Sequence, residues 1–353
     1  LASLTTGSEA QYWMKKQAAC ETKMRQIWAE LNPEPQKKEP PAGKPAPQKP
    51  AARKDDVPQE TVNNWYKEDP GYGFDQVSGM DDVKLMLSDC VRDASMEALN
   101  RYLKIPSMKS FFFYGPPGCG KTYIIEAFAH ELMQQGYKFM SLSSADIHSK
   151  FSGEADKIVQ RAFREAVDNA PCILFMDEVD GVCQNRNLPN LSDFNMQLTT
   201  TFLTAYNGLS RANAEEKSVI FIGATNYPAN VDAAMLDRVE LVRIPLPEEE
   251  VRSQVFRSAL ENIVRLEPGL GWLDMAVATE GYNQRDVKAI IEKLKKLIRV
   301  GAADGEEAVS RLQDGAFCLT RQMFDQAMQA YVPTPKDDIE RRLNEFERQM
   351  SYM

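Results

Sequence analysis

The sequence predicts an α/β fold, a mostly parallel sheet with helices on its faces, followed by a small all-helical domain. Three observations predict it. Short apolar runs at 111–114, 137–142, 171–176 and 219–223 alternate with helical stretches, the pattern of successive crossover units. Two of these runs stop abruptly, one in the glycine-rich Gly115-Pro116-Pro117-Gly118-Cys119-Gly120-Lys121-Thr122 and one in the carboxylate pair Asp177-Glu178. From Glu248 onward no strand-like run remains, only helical stripes.

Residues from about Ser8 to Leu31 place Tyr12, Trp13, Met14, Met24, Ile27, Trp28 and Leu31 among charges without Pro or Gly, which predicts an amphipathic helix over 1–31. It serves either to bind a partner or to pack on its own domain. Over 32–60 the composition shifts to Pro, Lys, Ala and Gln, a flexible linker that cannot bury a core. The α/β domain is expected over 61–248, with a helix beginning near Val83 and another over Lys157 to Val167. Within 249–353, helices are expected over Glu249 to Ile263, Gln284 to Val300, and Thr320 to Tyr331 with Thr320 as N-cap. A last helix from about Pro335 carries Ile339, Leu343, Phe346 and Met350 in a stripe that must bury against something.

The stretch Ser110 to Thr122 is a strand running into a phosphate-binding loop, and the pattern G-x-x-x-x-G-K-[ST] is complete. Glycines let backbone N–H groups turn inward around a polyphosphate. Lys121 supplies a cation to the distal oxygens, and Thr122 offers a hydroxyl to Mg²⁺. The run Pro171 to Met176 has the form of a buried parallel strand opening at its C-terminal end onto a site. There Asp177 is expected to hold the Mg²⁺ shell and Glu178 to orient and polarise the attacking water. Asn226, after the run at 219–223, falls where a strand end brings an amide between terminal phosphate and water; taken alone, Asn before Tyr227-Pro228 is also ordinary turn chemistry.

From about Phe74 to the C-terminus the chain resembles the AAA family of ATPases, closest in layout to the katanin, spastin and ESCRT-disassembly (meiotic) branch. Gly115 to Thr122 is similar to its Walker A loop, Ile173 to Asp180 to its Walker B, and Gly223-Ala224-Thr225-Asn226 to its sensor 1. The resemblance implies a P-loop NTPase sheet, a helical lid and ATP with Mg²⁺. It places nucleotide contacts at Gly79, Gly115, Pro116, Pro117, Gly118, Cys119, Gly120, Lys121, Thr122, Tyr123 and Asp177, with the backbone near Gly79 at the adenine and Tyr282 to Val287 opening the lid helix. It further implies a ring of like copies, usually a hexamer, with a protein substrate drawn through a central pore, and Ser149 to Glu154 resembles the pore loop, with Phe151 as the gripping aromatic.

One position departs from the family. Where two adjacent arginines are common, this chain has Asp237-Arg238, so either Arg238 alone serves as the finger reaching a neighbour's nucleotide, or the ring hydrolyses slowly or needs a partner. Arg285, in Gln284-Arg285-Asp286, either reaches the γ-phosphate of its own nucleotide and partly replaces the lost charge, or faces solvent in the first turn of a helix.

The formal net charge of −9 argues against a nucleic-acid motor, which needs clustered cations. Six scattered cysteines and two histidines suggest neither a zinc site nor a disulfide framework, and no apolar run approaches membrane-spanning length, so the expected location is cytoplasmic. The sequence begins at Leu1 rather than Met, as it would had an upstream piece been removed or not included. The expected function is ATP hydrolysis by an oligomeric ring, coupled to remodelling, unfolding or disassembly of a protein. The competing reading is an ATP-gated scaffold that assembles and releases partners through the N-terminal helix, with weak turnover.

Overall fold

The computed structural model describes residues 65–103, 109–148, 154–189, 191–214, 217–300, 309–310, 312, 314, 317–335 and 337–350. The chain divides into two units, Leu1–Thr61 and Val62–Met353, and the described residues belong to the second. The N-terminal helix, the Pro/Lys-rich stretch and the loop with Phe151 lie outside them.

Five parallel strands form the sheet: β1 (Ser110–Tyr114), β2 (Lys138–Ser143), β3 (Cys172–Asp177), β4 (Val219–Thr225) and β5 (Glu240–Arg243), in the order β2-β3-β4-β1-β5. Continuous apolar runs are needed because both faces are covered. Phe112, Tyr114, Leu174, Met176 and Phe221 point into one core, with α5 (Ala155–Asp168) and α6 (Asp193–Ala214). Phe111, Phe113, Ile173, Phe175, Ile220 and Ile222 point into the other, with α1 (Asp81–Ser95) and α3 (Lys121–Met133). Each fully buried phenylalanine contributes roughly 2–3 kcal/mol by area removed from water. The short helices α2 (Glu97–Leu103) and α4 (Ser144–His148) complete this part of the chain.

Among the elements that went unread in the sequence, α6 and β5 show why. α6 runs 22 residues although it contains a Thr199-Thr200-Thr201 run and Gly208, so propensity does not announce it; Leu198, Phe202, Tyr206 and Leu209 bury its inner face and stabilise it through packing. β5 is an edge strand of four residues with only Val242 buried, too short for a visible alternation.

The lid comprises α8 (Glu249–Leu260), α9 (Trp272–Ala278), α10 (Gln284–Val300) and α11 (Arg321–Gln329) around Phe256, Leu260, Val287, Ile290, Leu294 and Phe324. Thr320 caps α11 as expected, its Oγ1 accepting from Met323 N at 3.2 Å. The expectation that strands end at 248 is corrected in one detail: β6 (Arg265–Leu266) and β7 (Cys318–Leu319) pair in parallel inside the lid. Two residues each are below what a sequence pattern can signal. The stripe of the terminal helix α12 (Asp337–Met350) buries Leu343 and Phe346 against the first sheet core, not the lid. Phe346 meets Tyr114 edge-on at 5.5 Å, Tyr114 Oη donates to Glu347 at 2.9 Å, and Arg243 pairs with Glu347 at 2.6 Å. No helix among the described residues is long and apolar enough to cross a membrane.

Candidate functional site

Strand order makes the site. Because β4 lies between β3 and β1, the three C-terminal strand ends bring Asp177, Asn226 and the loop 115–120 together. Lys121 opens α3 and is only 8% exposed. Its Nζ donates to Gly115 O and Pro116 O at 2.9 Å and to Asn226 Oδ1 at 2.6 Å, which uses all three ammonium protons. Burial lowers its pKa to about 8, against the opposing pull of Asp177, while the positive charge of Arg285 pushes the same way as burial. This ammonium is held over the loop by neutral acceptors.

Thr122 Oγ1 donates to Asp177 Oδ2 at 3.5 Å. Burial raises the Asp177 carboxyl, partly countered by the Glu178 N–H that donates to its Oδ1 at 2.9 Å. Glu178 is exposed and sits at φ +51°, an uncommon conformation for a residue with a side chain. Ser144 Oγ donates to Glu178 Oε2 at 3.2 Å. A third carboxylate, Asp180, accepts from Thr225 Oγ1 at 2.5 Å, and Thr225 Oγ1 accepts from Tyr227 N at 2.9 Å, so Asp180 holds the strand end that presents Asn226. Neither Ser144 nor Asp180 stood out in the sequence, where an acid three residues after Asp177 is unremarkable.

The lid closes on the loop from above. Arg285 N donates to Gly118 O at 3.1 Å and Asn283 Nδ2 to Pro117 O at 3.0 Å. Gly118 has φ +77°, and a Cβ there would lie 2.9 Å from Arg285 Cβ, so a side chain is excluded on both counts. Asn283 caps α10 reciprocally with Asp286, which is fully buried and also accepts from Tyr331 Oη at 2.7 Å and Thr334 Oγ1 at 2.8 Å. Beside the loop lies a cavity of about 520 Å³ lined by Gly79, Met80, Arg243, Val251 and Gln284 among others. Gly79, at φ +68°, would put a Cβ 2.4 Å from Val251 Cγ2. Tyr123 stacks on Tyr72 at 4.6 Å with the Lys288 ammonium 4.8 Å over its ring.

Asp237 and Arg238 are not part of this cluster. Both are exposed where α7 (Ala233–Leu236) ends, and no described hydrogen bond or ion pair joins either side chain to the phosphate loop. A pair the sequence did not suggest stands beneath them: Arg186 Nε and Nη2 donate to the two oxygens of Asp232 at 2.7 and 3.1 Å.

The residues fit a magnesium nucleotide. The loop is a cradle that a Cβ at Gly118 would fill, with a buried cation at its floor. A hydroxyl and a single carboxylate are a sparse but suitable oxygen set for Mg²⁺, which takes most of its ligands from water and phosphate. No group of three His, Cys, Asp or Glu that could hold a metal occurs among the described residues.

Residues 111–246 match the model of the ATPase family associated with various cellular activities (AAA). Vacuolar protein sorting-associated protein 4A of Homo sapiens is 33% identical over 233 residues, covering 64% of this chain and 50% of that protein. The Cell division cycle protein 48 homolog of Archaeoglobus fulgidus is 29% identical over 284 residues, covering 77% of this chain and 37% of that protein. The chain thus spans about half the length, or less, of these relatives. Among solved structures the FIGL-1 AAA domain superposes with a TM-score of 0.66 at 23% identity, covering 81% of this chain and 92% of that one. The same domain in complex with ADP gives 0.65. These last likenesses speak to the fold.

Proposed function

The chain carries an AAA ATPase domain, and on that premise we propose that it binds and hydrolyses ATP in an oligomeric ring, using turnover to remodel, unfold or disassemble a protein substrate. The observation that carries the reading is the set of hydrogen bonds converging on Lys121 Nζ. The ammonium is already desolvated and bound to neutral acceptors, so a polyphosphate that displaces them replaces ion–dipole bonds by ion–ion bonds without a further desolvation cost on the lysine. Gly118, Cys119 and Gly120 offer their N–H groups to the same phosphates, and the cavity beside Gly79 accepts the base. Mg²⁺, held by Thr122 and Asp177, supplies charge neutralisation for the phosphate oxygens.

Glu178 takes a proton from the attacking water, and its exposure leaves room for that water beside the bond from Ser144 Oγ. Asn226 passes from Lys121 to the terminal phosphate when nucleotide enters. Arg238, held by no carboxylate among the described residues, serves the nucleotide of a neighbouring copy. Phe151 contacts the protein substrate. The ADP complex of the structurally similar FIGL-1 AAA domain supports an adenine nucleotide as ligand.

Glu178→Gln tests the reading: ATP binds as before and turnover falls on the order of 10²-fold or more. Retained hydrolysis removes Glu178 from this role. Turnover per chain that rises steeply with protein concentration supports the shared site, and a flat dependence opposes it. The exposed Asp237 beside Arg238 favours a second reading, an ATP-gated scaffold with slow turnover. Phe151→Ala separates the two, since it stops remodelling with ATPase intact in a motor and leaves partner release unchanged in a scaffold.

A further inference from the structure

The turn that ends in Asp237-Arg238 is too short to hold itself. α7 has four residues, fewer than a helix needs to survive on its own hydrogen bonds. Its N-cap is Asp232, whose Oδ1 accepts from Ala234 N at 3.1 Å and whose backbone carbonyl accepts from Met235 N at 2.9 Å. At the other end Tyr206 Oη donates to Arg238 O at 3.1 Å. Asp232 is only 4% exposed, and a carboxylate there without a cation would carry a large desolvation cost. Arg186 supplies the cation through two parallel side-chain bonds and also donates its backbone N–H to Oδ2 at 3.4 Å.

Arg186 belongs to the segment that leaves Asp177-Glu178, and that segment is stitched to the approach of α7 at every step. Asp180 holds Thr225; Asn185 N donates to Asn230 O at 2.7 Å; Gln184 pairs with Val231; and Asp232 N donates to Cys183 O at 3.1 Å. Arg186 and Asp232 close this ladder at the base of the turn. With its side chain 44% exposed, Arg186 is not needed to fill the core.

We infer that Arg186 is a positioning residue: its bidentate bond to Asp232 fixes the cap of α7 and thereby aims Arg238 at a neighbouring copy's nucleotide, tying that aim to the segment that carries the chain's own Asp177 and Glu178. The inference rests on the reading of Arg238 as acting in trans. Removing the guanidinium leaves each chain's own nucleotide site intact and impairs the site of its neighbour.

The test is ATP turnover by full-length chains, alone and mixed. Arg186→Ala alone loses turnover on the order of 10²-fold, the effect of displacing a catalytic group by about an ångström, while its affinity for ATP is unchanged. Mixed with an excess of Glu178→Gln, a chain whose own hydrolysis is suppressed but which keeps its own Arg238 turn, and with that chain's residual turnover subtracted, Arg186→Ala recovers turnover per active chain, and an Arg238→Ala control recovers in the same way. Asp232→Asn keeps the capping oxygen, discards the ion pair and reproduces the defect from the other side, so the question is answered even where Arg186→Ala does not fold. Undiminished turnover in Arg186→Ala or Asp232→Asn overturns the inference. So does a loss that Glu178→Gln fails to repair while repairing Arg238→Ala, since the defect then lies in the chain's own site. Full turnover in Arg238→Ala instead overturns the trans reading of Arg238 beneath it, and the two failures are told apart.

Discussion

Lys121 should make ATP binding sensitive to alkali in a range where most lysines are indifferent. Its ammonium is buried, and its pKa stands at about 8 against an ordinary 10.5. Bound polyphosphate favours the charged form and carries the pKa back upward, so ATP selects the protonated protein and binding takes up a proton above pH 8. The charged fraction goes from about ten to one in favour at pH 7 to about ten to one against at pH 9, so affinity weakens about tenfold, or ~1.4 kcal/mol. Calorimetry on the Glu178→Gln chain, in buffers of different ionisation enthalpy, measures both affinity and proton uptake. Lys121→Arg is the control. Its guanidinium does not titrate, so it binds more weakly but with a flat profile from pH 7 to 9, and it also corrects for protons that ATP itself releases. A flat profile in the parent chain, or the same slope in Lys121→Arg, refutes the argument.

Arg285→Ala should weaken ATP binding and slow turnover if the guanidinium compensates for Asp237; unchanged values in both return it to a solvent-facing role. Tyr331→Phe removes one of the hydrogen bonds to the buried Asp286 and should cost about 1–3 kcal/mol in denaturant unfolding, because the acceptor that loses its donor cannot reach water. Phe346→Ala leaves a cavity between α12 and Tyr114 and should cost about 3–5 kcal/mol in the same assay. If the terminal helix were an appendage, that change would cost less than about 0.5 kcal/mol, as ordinary surface substitutions do.

The phosphate loop, the acidic strand end and Asn226 were legible in the sequence because each is a local signal. A parallel strand buried on both faces is apolar throughout, and the residue after its last apolar position is the one its C-terminal end presents. The same logic hid α6, whose Thr-rich inner stretch is helical through Phe202 and Tyr206 packing on the sheet, and it hid β5, held by pairing with β1. Thr320 was readable as a cap because capping is decided within four residues.

By itself the sequence determined which groups stand at the C-terminal ends of β1 and β3, since Lys121, Thr122, Asp177 and Glu178 are each positioned by the few residues before them. Tertiary structure alone decided how those groups behave. The order β3-β4-β1 puts Asn226 on Lys121 across 105 residues of chain, and the burial that follows lowers the lysine's pKa. It also joined Arg186 to Asp232, residues 46 apart that have no mark of partnership until two loops leave neighbouring strands side by side. Strand order is a property of the whole chain, and a pair made by it cannot be written in either segment alone.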